Sequence, residues 1–194
     1  VATTADGERI GIAEVDEMDR ETFVATFGSL FNGATWPLER AWEARPFADT
    51  ASLRAAIEEA VLTAERSEQD ALVRAYPDMA TLITADEAEA GTISQDVGSF
   101  ALENLTDEDA EALRDLSARY AERFDMPFVA YLGRTDSFTS IIEGGVRRLD
   151  HSREHERRVA LTQVAEIAGD RFGIMVADAN PIGSAWIRKF ESLQ

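Results

Sequence analysis

Cysteine is missing from the 194 residues, and lysine nearly so, with Lys189 its one occurrence. Without cysteine there are no disulfides, no thiolate metal sites and no cysteine nucleophile. Positive charge is scarce as well: 37 Asp and Glu stand against 19 Lys and Arg, a formal net charge of −18. Nucleic-acid binding needs a cationic footprint, so that class of partner is excluded. An anionic membrane surface repels the chain for the same reason. No apolar run approaches the ~18 residues a membrane span requires. The first residues lack the basic-then-apolar pattern of a secretory signal. Together with the missing cysteines, that makes a cytoplasmic location the expectation.

What is present is ordinary for a folded domain. Hydrophobic residues make up 45%, and a chain of this length buries roughly 70% of its unfolded surface. The acidity has two readings: a surface kept soluble by repulsion, or adaptation to high salt, where carboxylates stay hydrated. Scarce lysine fits the second, but it also follows from a GC-rich genome.

Along the chain, residues 1–15 lack periodicity and read as a tail or a weak extended segment. From Asp19 the pattern turns helical, with Phe23, Phe27, Leu30 and Phe31 on one face. Asn32-Gly33 ends that element, because both residues tolerate positive φ. A helix at 36–44 carries Trp36 and Trp42 and stops before Pro46. Asp49 or Thr50 caps the next, whose stripe is Leu53, Ile57 and Val61. Ser67-Glu68-Gln69-Asp70 is a capping-box pattern, and Pro77 ends that helix near Tyr76. Residues 78–95 are ambiguous. Thr106 to Asp109 opens a long helix with Leu113, Leu116, Tyr120 and Phe124 on one side. The run from Pro127 to Leu132 has the length of a strand but no partner, so it reads as a buried connector. Helices follow at 137–149 and, capped by Ser152, at 153–176. The pattern is all-α, a compact bundle of about eight helices. Its organisation is a tail over 1–15, a helical domain over 16–177 and an extension over 178–194. That extension carries Ile182, Trp186, Ile187 and Phe190, and either covers an interface or leads toward a further domain.

Common catalytic motifs are missing: no G-x-G-x-x-G, no P-loop, no G-x-S-x-G and no H-E-x-x-H. His151 and His155 share a helix face, but Arg153, Arg157 and Arg158 around them disfavour a cation. No metal is expected.

Three strings, in order, carry more information. The first runs from Phe27-Gly28-Ser29-Leu30-Phe31 to Arg45-Pro46-Phe47. The second is Leu72-Val73-Arg74-Ala75-Tyr76-Pro77-Asp78. The third is Phe124-Asp125-Met126-Pro127-Phe128-Val129, followed by Gly133-Arg134-Thr135. Their combination resembles the 2-oxo-4-hydroxy-4-carboxy-5-ureidoimidazoline (OHCU) decarboxylase family of urate degradation, over about residues 15–176. The resemblance implies an all-α fold, a homodimer, no cofactor and a small anionic substrate. It further implies a carboxy-lyase that converts OHCU to (S)-allantoin. The alternative is a member that binds a related ureido compound or a protein partner without this catalysis.

The family works with a histidine, a glutamate and an arginine. The histidine precedes Pro-Asp, where this chain has Tyr76. A free tyrosine ionises near pH 10, which suits it poorly to reversible proton transfer at neutral pH. Counting back nine residues from Leu105 places Asp96 at the glutamate, one methylene shorter, with Val97 in place of the usual glutamine. Arg171 stands at the arginine. Pro127, Phe128 and Val129 are implied to line the pocket through backbone groups. Each position also has a plain structural reading: Tyr76 as a packed aromatic, Asp96 as a surface acid, Arg171 as half of an ion pair with Asp170 or Glu166, and 127–129 as core.

Overall fold

A computed structural model describes residues 9–83, 105–133 and 137–177. The expectations for Asp96, Val97 and the extension over 178–194 lie outside these residues. The described elements are α1 (Ile12–Glu17), α2 (Arg20–Phe27), α3 (Trp36–Trp42), α4 (Thr50–Leu62) and α5 (Arg66–Arg74). They continue with α6 (Asp107–Phe124), α7 (Phe138–Arg148) and α8 (Arg153–Met175). Two 3-10 turns, Gly28–Phe31 and Met79–Ile83, complete them. Among the described residues no strand forms, and one isolated bridge joins Ile10 to Val176. The expectation of an all-α chain of about eight helices holds. No described helix is long and apolar enough to cross a membrane.

The chain divides into two compact units, residues 1–75 with 165–194, and residues 76–164. The first is built on the aromatic stripe read from the sequence. Phe23, Phe27, Leu30 and Phe31 are buried. Phe23 and Phe27 sit with ring centroids 4.9 Å apart, and Phe172 lies 6.5 Å from Phe27. The Asp19 carboxylate caps α2 by accepting the Thr22 N–H at 2.7 Å, and that bond holds Asp19 below the ordinary carboxylate range. After the 3-10 turn the chain reverses at Asn32 (φ 49°) and Gly33 (φ 85°). The Arg-Pro-Phe string acts here as a clamp. Arg45 donates to the Met18 carbonyl at 2.6 Å, and the Asp16 carboxylate accepts the Phe47 N–H at 3.0 Å.

Two sequence readings need correction. Residues 10–15 are not a tail: Ile10 pairs with Met175 and Ala177 through its backbone, as a weak extended segment would, but α1 then forms and buries Val15, which neither alternative anticipates. One buried valine is too little for a periodic signal. The cap of α5 is Glu65, not Ser67; the Glu68 carboxylate returns to the Glu65 N–H at 3.0 Å. Glutamate is an uncommon N-cap, so Ser67 drew the boundary two residues late.

The second unit packs α6 against α7. Its core includes Leu113, Leu116, Tyr120, Phe124, Phe128 and Leu161. Thr106 and Asp109 form the capping box read from the sequence. The close approach of α7 depends on Gly145: a Cβ there would stand 2.5 Å from Leu116 Cδ2 and 2.6 Å from Phe128 Cζ.

Candidate active site

Pro127 to Leu132 is an extended stretch with no sheet, so its backbone groups need other partners. Side chains and one turn supply them. Asp78 Oδ2 accepts the Phe128 N–H at 2.7 Å, while its Oδ1 accepts the Ala80 N–H at 2.8 Å. The Met79 N–H donates to the Phe128 carbonyl at 3.0 Å. Arg148 Nη1 donates to the Val129 carbonyl at 2.9 Å, and Gln163 Oε1 accepts the Tyr131 N–H at 2.9 Å. The Val129 N–H has no partner among the described residues.

This arrangement brings two of the predicted parts together. Tyr76-Pro77-Asp78 leaves α5 because Pro77 cannot donate the next helical bond. Asp78 then fastens that segment to Phe128. Tyr76, Phe128 and Val129 are all buried. Asp78 was not singled out in the sequence; the signal available was an aspartate directly after X-Pro, a common turn-former whose carboxylate takes nearby N–H groups.

Arg171 sits in the last part of α8, in the first unit. Its Nη1 donates to the carbonyls of Ser29 and, at 3.2 Å, Leu30, and to Asn32 Oδ1 at 2.8 Å. These are end carbonyls of a 3-10 turn, which need donors from outside it. Asn32 Nδ2 in turn donates to the Ala75 carbonyl at 3.3 Å, and Ala75 is the residue before Tyr76.

A buried charged network lies in the second unit. Glu156 is 0% exposed. Its Oε1 accepts from Arg148 Nε at 2.9 Å, from Arg148 Nη2 at 2.7 Å and from the Tyr120 hydroxyl; its Oε2 lies 2.7 Å from His151 Nδ1. Burial drives the Tyr120 phenol far above its ordinary range, and the nearby Glu156 carboxylate adds to that shift; Arg148 opposes both. His155 meets the His151 ring edge-on at 4.2 Å. His151 is thus paired with a carboxylate, and among the described residues no group of three or more His, Asp or Glu is placed to hold a metal. The sequence did carry a signal: Glu156, Ala160 and Val164 share one face of α8, a carboxylate on an apolar stripe. Beside the network is a cleft of about 270 Å³, lined by Phe128, Ala130, Tyr131, Ile141, Arg148 and Gln163 among others.

The described residues form an all-α fold of two units with an aspartate-fastened connector. The sequence model of the OHCU decarboxylase family matches residues 16–173, and the chain belongs to that family. It is 34% identical over 160 residues to a 2-oxo-4-hydroxy-4-carboxy-5-ureidoimidazoline decarboxylase of Haloferax volcanii, covering 81% of this chain and 90% of the relative. It is 28% identical over 166 residues to the uric acid degradation bifunctional protein PucL of Bacillus subtilis, covering 85% of this chain and 32% of that protein. The crystal structure of an (S)-allantoin synthase shares the fold, with a TM-score of 0.67 at 19% identity, covering 86% of this chain and 54% of the other.

Proposed function

We propose that this chain is a cofactor-free carboxy-lyase that decarboxylates OHCU to (S)-allantoin, as a cytoplasmic homodimer. The observation that carries this reading is the family match across residues 16–173, with a relative of that name matched over 90% of its length.

In the reaction the bond between the substrate carboxylate and its ring carbon breaks. Carbon dioxide leaves, and the electron pair moves into the adjacent ring C=N bond, leaving the hydroxyl-bearing carbon as an enol that becomes the product carbonyl when the ureido-bearing carbon is protonated. One proton then adds to one face. Catalysis requires a cation or donor for the anionic groups, a neutral path for the leaving CO2 and a proton source on a fixed side. Arg171 is assigned to an anionic oxygen of the substrate, as a guanidinium suits a carboxylate. Asp96 is assigned to orient the ureido or ring N–H groups. Tyr76 is assigned as the proton donor or its hydrogen-bonding substitute, and the Val129 N–H as a donor to a carbonyl oxygen.

The test is OHCU made in situ from urate. Loss of OHCU faster than its spontaneous decay, with one CO2 per molecule, supports the reading. No acceleration by folded protein at high salt sinks it. Tyr76→His should raise the rate if Tyr76 is the weaker of two possible donors; an unchanged rate removes Tyr76 from the proton path.

A further inference from the structure

Asn32 occupies the left-handed region, φ 49° and ψ 39°, at the end of the 3-10 turn. Glycine would serve that backbone with less strain. What glycine lacks is the amide, and here the amide has two different partners. Oδ1 accepts from Arg171 Nη1 at 2.8 Å, while Nδ2 donates to the Ala75 carbonyl at 3.3 Å. The assignment of oxygen and nitrogen is forced: a guanidinium can only donate, and a carbonyl can only accept. Asparagine is the side chain that does both at this length. Aspartate would keep the first bond and set a carboxylate against the Ala75 carbonyl.

We propose that Asn32 is a positioning residue for the decarboxylation, holding the Arg171 guanidinium with one end of its amide and the backbone leading into Tyr76 with the other. This rests on the functional reading above, in which Arg171 meets an anionic oxygen and Tyr76 serves the proton. Asn32 itself acts through Arg171 and the Ala75 peptide rather than on substrate. Displacement of a positioned group by about 1 Å is enough to cost up to 10²-fold in rate.

Three proteins separate the two ends of the amide: wild type, Asn32→Gly and Asn32→Asp. Both variants tolerate the left-handed backbone. Asn32→Gly removes both bonds, so KM should rise about tenfold and kcat fall about tenfold. Asn32→Asp keeps the acceptor for Arg171, so KM should return to within about threefold of wild type while kcat stays low. A drop in thermal midpoint with wild-type kcat and KM would make Asn32 merely structural and overturn the proposal. So would Asn32→Asp matching Asn32→Gly in both constants. A substrate-free reading keeps this distinct from the functional one. The Arg171 side-chain N–H resonances, assigned by their loss in Arg171→Lys, should shift in Asn32→Gly and less in Asn32→Asp. Unshifted resonances overturn the positioning role even if wild type turns over OHCU. Shifted resonances with no wild-type turnover leave the contact standing and overturn the catalytic reading.

Discussion

The Asp78 carboxylate accepts the Phe128 N–H at 2.7 Å, across 50 positions of sequence. With the Met79 N–H on the Phe128 carbonyl at 3.0 Å, it makes a two-bond link between the Tyr76 segment and the connector. Asp78→Ala removes two charge-assisted bonds and leaves a buried N–H unpaired. The expected loss is about 2–4 kcal/mol of stability, read by urea unfolding. Turnover of OHCU should fall further than stability accounts for, since both predicted site segments lose their common anchor.

Glu156 holds Arg148, Tyr120 and His151 together, and Arg148 holds the Val129 carbonyl. Glu156→Gln leaves the Arg148 guanidinium, only 12% exposed, without its counter-charge. Breaking such a pair from one side costs about 3–5 kcal/mol. Chemical denaturation checks it; a loss under about 1 kcal/mol would mean water reaches the pair freely.

Tyr120 gives a pH dependence of known sign. Its phenol is raised in the folded state above the ordinary value of 10.0. Folded and unfolded chains therefore carry the same proton below pH 10, and only the unfolded chain releases it just above. Stability should fall by about 1.4 kcal/mol for each pH unit above 10 on this account. Tyr120→Phe should cost about 1–2 kcal/mol at neutral pH and remove that alkaline slope. Unfolding curves at pH 7 and above pH 10 for both proteins decide it.

Gly145 is where helix propensity and packing oppose each other. Alanine would gain about 1 kcal/mol as a helix former, but its Cβ would meet Leu116 and Phe128 within 2.6 Å. Overpacking of that kind costs about 1–3 kcal/mol, so Gly145→Ala should lower the thermal midpoint. A raised midpoint would mean that α7 shifts away without penalty.

Local signals were the legible ones. Asn32-Gly33, the Thr106 box and the Ser152 cap each announce an element end through a few adjacent residues, and each stands where expected. The connector was also readable, as an apolar run with no strand to join. What escaped were partnerships over long separations. Asp78 meets Phe128, Glu156 meets Tyr120 and Asn32 meets Arg171, and no periodicity marks such pairs in advance. In the sequence Glu156 lies in a densely charged stretch, and Ala160 and Val164 on its face of the helix are the one hint that it turns inward. The family positions of Tyr76 and Arg171 came from resemblance rather than pattern, since a lone tyrosine before proline and a lone helical arginine say little by themselves.

The most direct test of the central claim is the handedness of the product. OHCU generated from urate should yield optically active (S)-allantoin in the presence of this protein, seen by circular dichroism, whereas spontaneous decay yields the racemate. With a net charge of −18 facing an anionic substrate, the rate should also rise with salt as the screening length shortens to about 3 Å near 1 M. Racemic allantoin formed at the spontaneous rate, at every salt concentration and with the protein folded, would contradict the account.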